Sequence, residues 1–104
     1  MKQMITSDRN LVEESIFRHE EDVRIYLWIR LMSREEAGNE GDFYLEKGQY
    51  QASIRELQKS LKYYEGNKKE EYSLSRIQRS IKRLVKNDWI RTEKTALGFI
   101  YTVL

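Results

Sequence analysis

Residues 73–86 read Ser-Leu-Ser-Arg-Ile-Gln-Arg-Ser-Ile-Lys-Arg-Leu-Val-Lys, the most strongly amphipathic run in the chain. Wound at about 3.6 residues per turn, it places Leu74, Ile77, Ile81, Leu84 and Val85 on one stripe. The opposite face carries Ser75, Arg76, Arg79, Lys82, Arg83 and Lys86, with Gln78 on its shoulder, and no carboxylate interrupts it. Ser73 stands where an N-cap belongs, ready to accept from an amide of the first turn. Such a helix docks one face on a core and offers the other to a polyanion. It has the form of a DNA-recognition helix, but a solvated basic face has the same composition. The rest of the chain has to decide between them.

At 104 residues the chain suits one domain with a modest core. Apolar residues make up 39% and charged residues 35%, a highly charged surface without a disorder-like composition. There is no cysteine, so disulfides and thiolate metal sites are excluded, and a reducing cytoplasm is the expected compartment. No apolar run approaches the roughly 20 residues of a membrane span, and the N-terminus has no signal-like apolar region. The net charge of +2 is unevenly spread: −4 over residues 1–50, +1 over 51–72 and +5 over 73–104. Contact with nucleic acid is therefore expected through the C-terminal third.

Toward the N-terminus, Ser7 or Asp8 is placed to cap a short helix through Leu11, Val12, Ile16 and Phe17. His19, Glu20, Glu21 and Asp22 read as favourable carboxylates at a helix N-terminus rather than a metal or acid–base site, since His19 is the chain's only imidazole. Residues 22–37 form a second strong helix. Its broad apolar surface of Val23, Tyr26, Leu27, Trp28, Ile29, Leu31 and Met32 suits a central helix or a dimer interface. Residues 38–42, Gly-Asn-Glu-Gly-Asp, read as a loop; the twelve-residue spacing of a calcium hand is absent. Phe43 to Leu45 suggests a brief strand, and residues 49–52 alternate like another. Ser53-Ile-Arg-Glu56 is a capping box opening a helix through Leu57, Leu61 and Tyr64. Residues 65–71 are charged and aperiodic, and read as a long loop.

Beyond the basic helix, Asn87-Asp88 supplies a left-handed stop. Residues 89–94 and 99–103 are strand-like, joined as a hairpin by Thr95-Ala96-Leu97-Gly98. The predicted fold is α+β, mostly helical, with a small antiparallel sheet and a C-terminal hairpin. The order helix, strand, capped helix, basic helix, hairpin is that of a winged helix-turn-helix. Ile54, Leu57, Leu61, Ile77, Ile81, Leu84, Ile90 and Ile100 are expected to be buried together. With no nucleophile elbow, phosphate-binding glycine loop or metal cluster, no enzymatic activity, cofactor or metal is expected.

Three local words carry a closer likeness. Leu45-Glu-Lys-Gly-Gln-Tyr-Gln-Ala-Ser-Ile-Arg-Glu-Leu, Leu74-Ser-Arg-Ile-Gln-Arg-Ser-Ile-Lys-Arg-Leu and Trp89-Ile-Arg-Thr-Glu-Lys-Thr resemble the N-terminal domain of DnaD-like primosomal proteins and phage replisome organisers. Arg9-Asn-Leu-Val-Glu-Glu-Ser-Ile-Phe and Arg24-Ile-Tyr-Leu-Trp resemble that family's leading segment. The likeness spans roughly residues 9–103. It implies duplex DNA binding and self-association, as a dimer, in replication initiation alongside replisome or helicase-loading proteins. A second domain often follows in such proteins, so the chain is expected to be a domain excised from a longer one. Asp88, where winged helices often place Gly, and the long stretch 65–71 depart from the pattern.

A helix in the major groove reads base edges near its N-terminus, which assigns Ser75, Arg76, Gln78 and Arg79 to the bases. Lys82, Arg83 and Lys86 fall to phosphates, as does Arg55 near the start of the preceding helix. Lys94 and Thr95 are the candidate wing contacts. A winged-helix transcriptional regulator, or an interaction module whose basic face binds an acidic partner, would show the same physics.

Overall fold

The computed structural model describes residues 18–104. Helix α1 (Glu20–Met32) leads into a hairpin of β1 (Gly38–Glu40) and β2 (Phe43–Leu45). Strand β3 (Gln49–Ala52) and helix α2 (Ile54–Ser60) follow, then a hairpin of β4 (Tyr63–Glu65) and β5 (Lys68–Glu70). Helix α3 (Leu74–Lys86) and the strands β6 (Ile90–Thr95) and β7 (Gly98–Val103) complete the α+β fold. The expected helix at residues 7–17, and the leading segment beginning at Arg9, lie outside the described residues.

Helices α2 and α3 start on local caps. At α2 the capping box is complete. Ser53 Oγ accepts from the Glu56 amide at 3.1 Å, and Glu56 Oε1 accepts from the Ser53 amide at 2.7 Å. At α3 the Ser73 hydroxyl accepts from the Arg76 amide at 3.2 Å. The far end of α3 closes on Asp88, whose φ of 61° is left-handed. There the Trp89 amide donates to Leu84 O at 2.9 Å and the Asp88 amide to Val85 O at 3.1 Å, the double bond of a Schellman stop. Asp in place of Gly thus leaves the stop intact.

The described residues form three antiparallel sheets, with strand orders β1-β2, β3-β7-β6 and β4-β5. In the three-stranded sheet Tyr101 lies opposite Tyr50 and Thr92, and Ile100 opposite Gln51 and Glu93. Because side chains alternate along a strand, only one of these rows can face the helices. Tyr101 takes the core side and is fully buried, its hydroxyl donating to Ala52 O at 3.2 Å. Around it Ile25, Tyr26 and Ile29 of α1 pack with Leu57, Leu61, Tyr72, Ile77, Ile81, Leu84 and Ile90. Burying each of these aliphatic chains is worth about 1.5–3 kcal/mol. Gly48, at φ 84°, knits the sheet to α1: its amide donates to Arg34 O at 2.8 Å and its carbonyl accepts from Val103 at 3.0 Å.

The structure corrects several expectations. Helix α1 stops at Met32 rather than residue 37, because Ser33 is extended and its hydroxyl donates to Arg30 O at 2.8 Å. The loop read at 38–42 is strand β1 and its turn, and the loop read at 65–71 is mostly the β4–β5 hairpin turning on Gly66. Helix α2 ends at Ser60, so Tyr64 belongs to β4. The expected mostly helical fold is therefore richer in strand. Ile100 shares the row opposite Tyr101, and both it and Ile54 are half-buried rather than central.

Candidate nucleic-acid interface

Helix α3 has three sides. Ile77, Ser80, Ile81 and Leu84 are buried. A second side, about a quarter turn around, carries Arg76 and Arg83 and faces the N-terminus of α1. The third carries Ser75, Gln78, Arg79, Lys82 and Lys86, all exposed.

The second side is closed by carboxylates. Arg83 grips Asp22 with two parallel bonds, Nε to Oδ2 at 2.8 Å and Nη2 to Oδ1 at 2.8 Å. Its Nη2 also reaches Glu21 Oε2 at 3.2 Å, and Arg76 Nη2 reaches Glu21 Oε1 at 3.0 Å. Ser80 donates to Asp22 Oδ1 at 2.6 Å from inside the core. Asp22 is 2% exposed and Glu21 6%. Two buried carboxylates survive there because the guanidinium forks satisfy them and the amide end of α1 favours negative charge. Burial alone pushes the Glu21 carboxyl up. The Arg76 hydrogen bond, a backbone bond and the charges of Arg76 and Arg83 outweigh it, so Glu21 titrates below its ordinary value. The Arg83 guanidinium is held further toward the charged form by its bond to Asp22, and that of Arg76 by its bond to Glu21. Arg76 also lies over the Tyr72 ring, 4.8 Å from its centre, while the Tyr72 hydroxyl donates to Glu20 at 2.9 Å.

This arrangement corrects the sequence reading at two residues. Arg76 and Arg83 were expected beside Arg79 and Lys82 on an outward face, but seven residues of helix return them to almost the same angle, over α1. They clamp α1 to α3. The signal lay in Ser80, a lone hydroxyl among Ile77, Ile81 and Leu84, whose burial requires a polar partner. Asp22 is that partner, and with Glu21 it also holds the two guanidinium groups, a role beyond favourable charges at a helix start.

Ser75, Gln78, Arg79, Lys82 and Lys86 stay together as expected, and no described residue forms an ion pair with Arg79, Lys82 or Lys86. Arg55 is exposed on the first turn of α2. On the β6–β7 hairpin Lys94 is exposed, whereas Thr95 is half-buried and its Oγ1 accepts from the Leu97 amide at 3.3 Å within the turn. Between α3 and this hairpin runs a groove of about 550 Å³, lined by Ile54, Gln78, Ile81, Lys82, Val85, Lys86, Thr92 and Phe99. Val85, on the apolar stripe by periodicity, is exposed and lines this groove instead of the core. Among the described residues no cluster of His, Asp and Glu is arranged to hold a metal ion, and no helix is long and apolar enough to cross a membrane. No protein-family model, curated protein or solved structure matches the chain.

Proposed function

We propose that the chain is a winged-helix domain that binds duplex DNA, with α3 as the groove-reading helix and the β6–β7 hairpin as its wing. One observation carries the reading: the cations of α3 are sorted. Arg76 and Arg83 are spent on α1, while Arg79, Lys82 and Lys86 share the outward side with Ser75 and Gln78. Ser75, Gln78 and Arg79, nearer the start of α3, meet base edges; Lys82 and Lys86 meet phosphates. Arg55 and Lys94 flank this side from α2 and the wing and add phosphate contacts. Thr95 serves mainly to hold the turn that carries Lys94.

The finer reading, a DnaD-like replication initiator acting with replisome or helicase-loading proteins, rests on the local sequence words alone. Leu27 and Leu31 of α1, the latter 74% exposed, support self-association as a dimer. The test is anisotropy of a labelled random duplex across a salt series. Phosphate contacts from Arg55, Lys82, Lys86 and Lys94 predict that log affinity falls with log salt at a slope of about −3 to −4. A slope near zero, or no binding at low salt, would refute it.

A further inference from the structure

The groove between α3 and the wing has a chemistry that a duplex leaves half unused. Its floor is aliphatic and aromatic: Ile54 from α2, Ile81 and Val85 from α3, and Phe99 from β7. Val85 is 36% exposed, a β-branched chain open to solvent on an otherwise polar side of the helix. The rim is cationic, with Lys82 and Lys86 along one wall, and no carboxylate is among the described residues that line it. Phosphates satisfy the ammonium groups but offer nothing to the floor. A ligand that uses both must alternate aliphatic groups with anions.

We propose that this groove receives an acidic amphipathic helix of a protein partner, which competes with duplex DNA for Lys82 and Lys86. From Gln78 to Lys86 the groove follows α3 for about 12 Å, at 1.5 Å per residue. A partner helix lying alongside therefore presents about two turns, enough for three aliphatic anchors spaced i, i+4 and i+7. These enter between Ile81, Val85 and Phe99. Glutamates on the flanks of that stripe reach the two lysines. Thr92 and Gln78 offer neutral hydrogen-bonding groups at the edges, so the charge preference is set by the lysines alone. The complementarity is of sign as well as shape, because a basic helix would set its own cations against the rim.

The test uses the full 104-residue chain and a fluorescein-labelled, end-blocked alanine-based peptide with leucines at i, i+4 and i+7 and glutamates beside them. One control keeps the composition but scatters the leucines around the helix; another exchanges glutamate for lysine. Saturable binding of the acidic amphipathic peptide is expected, with each control weaker by about tenfold or more. Val85→Gln removes apolar floor without adding charge; it is expected to weaken the peptide about fivefold and leave duplex affinity unchanged. Lys82→Ala combined with Lys86→Ala weakens both ligands, and excess peptide displaces labelled duplex. Equal binding of the scattered control, or unaltered peptide affinity in Val85→Gln, would overturn the proposal. So would a shift from dimer to monomer in Val85→Gln by sedimentation, which would give the groove to a second copy of the chain. If the peptide binds as expected and no duplex binds at any salt, the groove stands and the DNA reading falls.

Discussion

Arg83 and Lys86 lie three residues apart on α3, yet their removal should have opposite consequences. Asp22 accepts three bonds, from Ser80 at 2.6 Å and twice from Arg83 at 2.8 Å. Arg83→Ala leaves a carboxylate that is 2% exposed holding a single neutral hydroxyl. Breaking a buried pair in this way costs about 3–5 kcal/mol, because the remaining charge stays desolvated. The Arg83 side chain is itself 31% exposed, so water reaches part of the vacated space, and the lower end, about 3 kcal/mol, applies. In urea, with a slope near 1 kcal/mol per molar, the midpoint should fall by about 3 M, read by far-ultraviolet circular dichroism. Replacing both partners, Asp22→Leu with Arg83→Met, should recover most of that loss, since the desolvation cost disappears with the charges. Lys86→Ala should leave stability within about 0.5 kcal/mol. It should instead flatten the salt dependence of duplex binding by about 0.9, the signature of one lost phosphate contact. If Arg83→Ala loses under 1 kcal/mol and flattens the salt slope by a contact, the clamp is not what Arg83 does, and the division of α3 into sides is wrong.

Three further outcomes test the packing and the electrostatics. Gly98 has φ 142°, and a Cβ there would sit 2.7 Å from Ser53 Cα, so Gly98→Ala should cost about 2 kcal/mol or more; an unchanged melting temperature would contradict this contact. Ile77→Ala, at a fully buried position, should cost about 2–5 kcal/mol in chemical denaturation, and a loss under half a kcal/mol would deny it a place in the core. The Glu21 carboxyl is depressed in the folded chain, so its contribution is complete above the ordinary value of 4.5 and lost as pH falls through the folded value. Stability should therefore drop below about pH 4.5, and Glu21→Gln should flatten that drop; an identical acid profile in the variant would exclude Glu21 as its source.

What the sequence disclosed, and what it withheld, follows from the range of the interactions. Helix α3, its Ser73 cap and its Asp88 stop were legible because periodicity and capping act within a few residues. The capping box at Ser53 and the C-terminal hairpin were legible for the same reason. Strand β2 was legible in Phe43-Tyr44-Leu45, but its partner β1 and the β4–β5 hairpin were not, since strands of three residues are too short to show alternation and β1 and β5 are polar or charged. Ile100 was misplaced because a branched aliphatic chain reads as core by itself, whereas its row also holds Gly98 and Thr102 and the core row is Phe99, Tyr101 and Val103. Arg76 and Arg83 looked free because their partners lie 55 and 61 residues away. The groove beside Val85 has no local signature because it exists only where α3, α2 and the β6–β7 hairpin meet.

The long reach of these pairings also sets an order of events during synthesis. Strand β3 is at the edge of its sheet and takes β7 as its strand partner among the described residues, with Gln49 opposite Thr102. Asp22 finds its guanidinium at Arg83. As the chain leaves the ribosome, α1 thus emerges with two carboxylates that cannot yet be buried, and β3 with no strand to join. Helix α1 and strand β3 cannot complete their packing until α3 and β7 have been made. Pairings this distant in sequence slow folding relative to a helical domain of the same length, and the clamp between α1 and α3 fastens only once the basic helix is out.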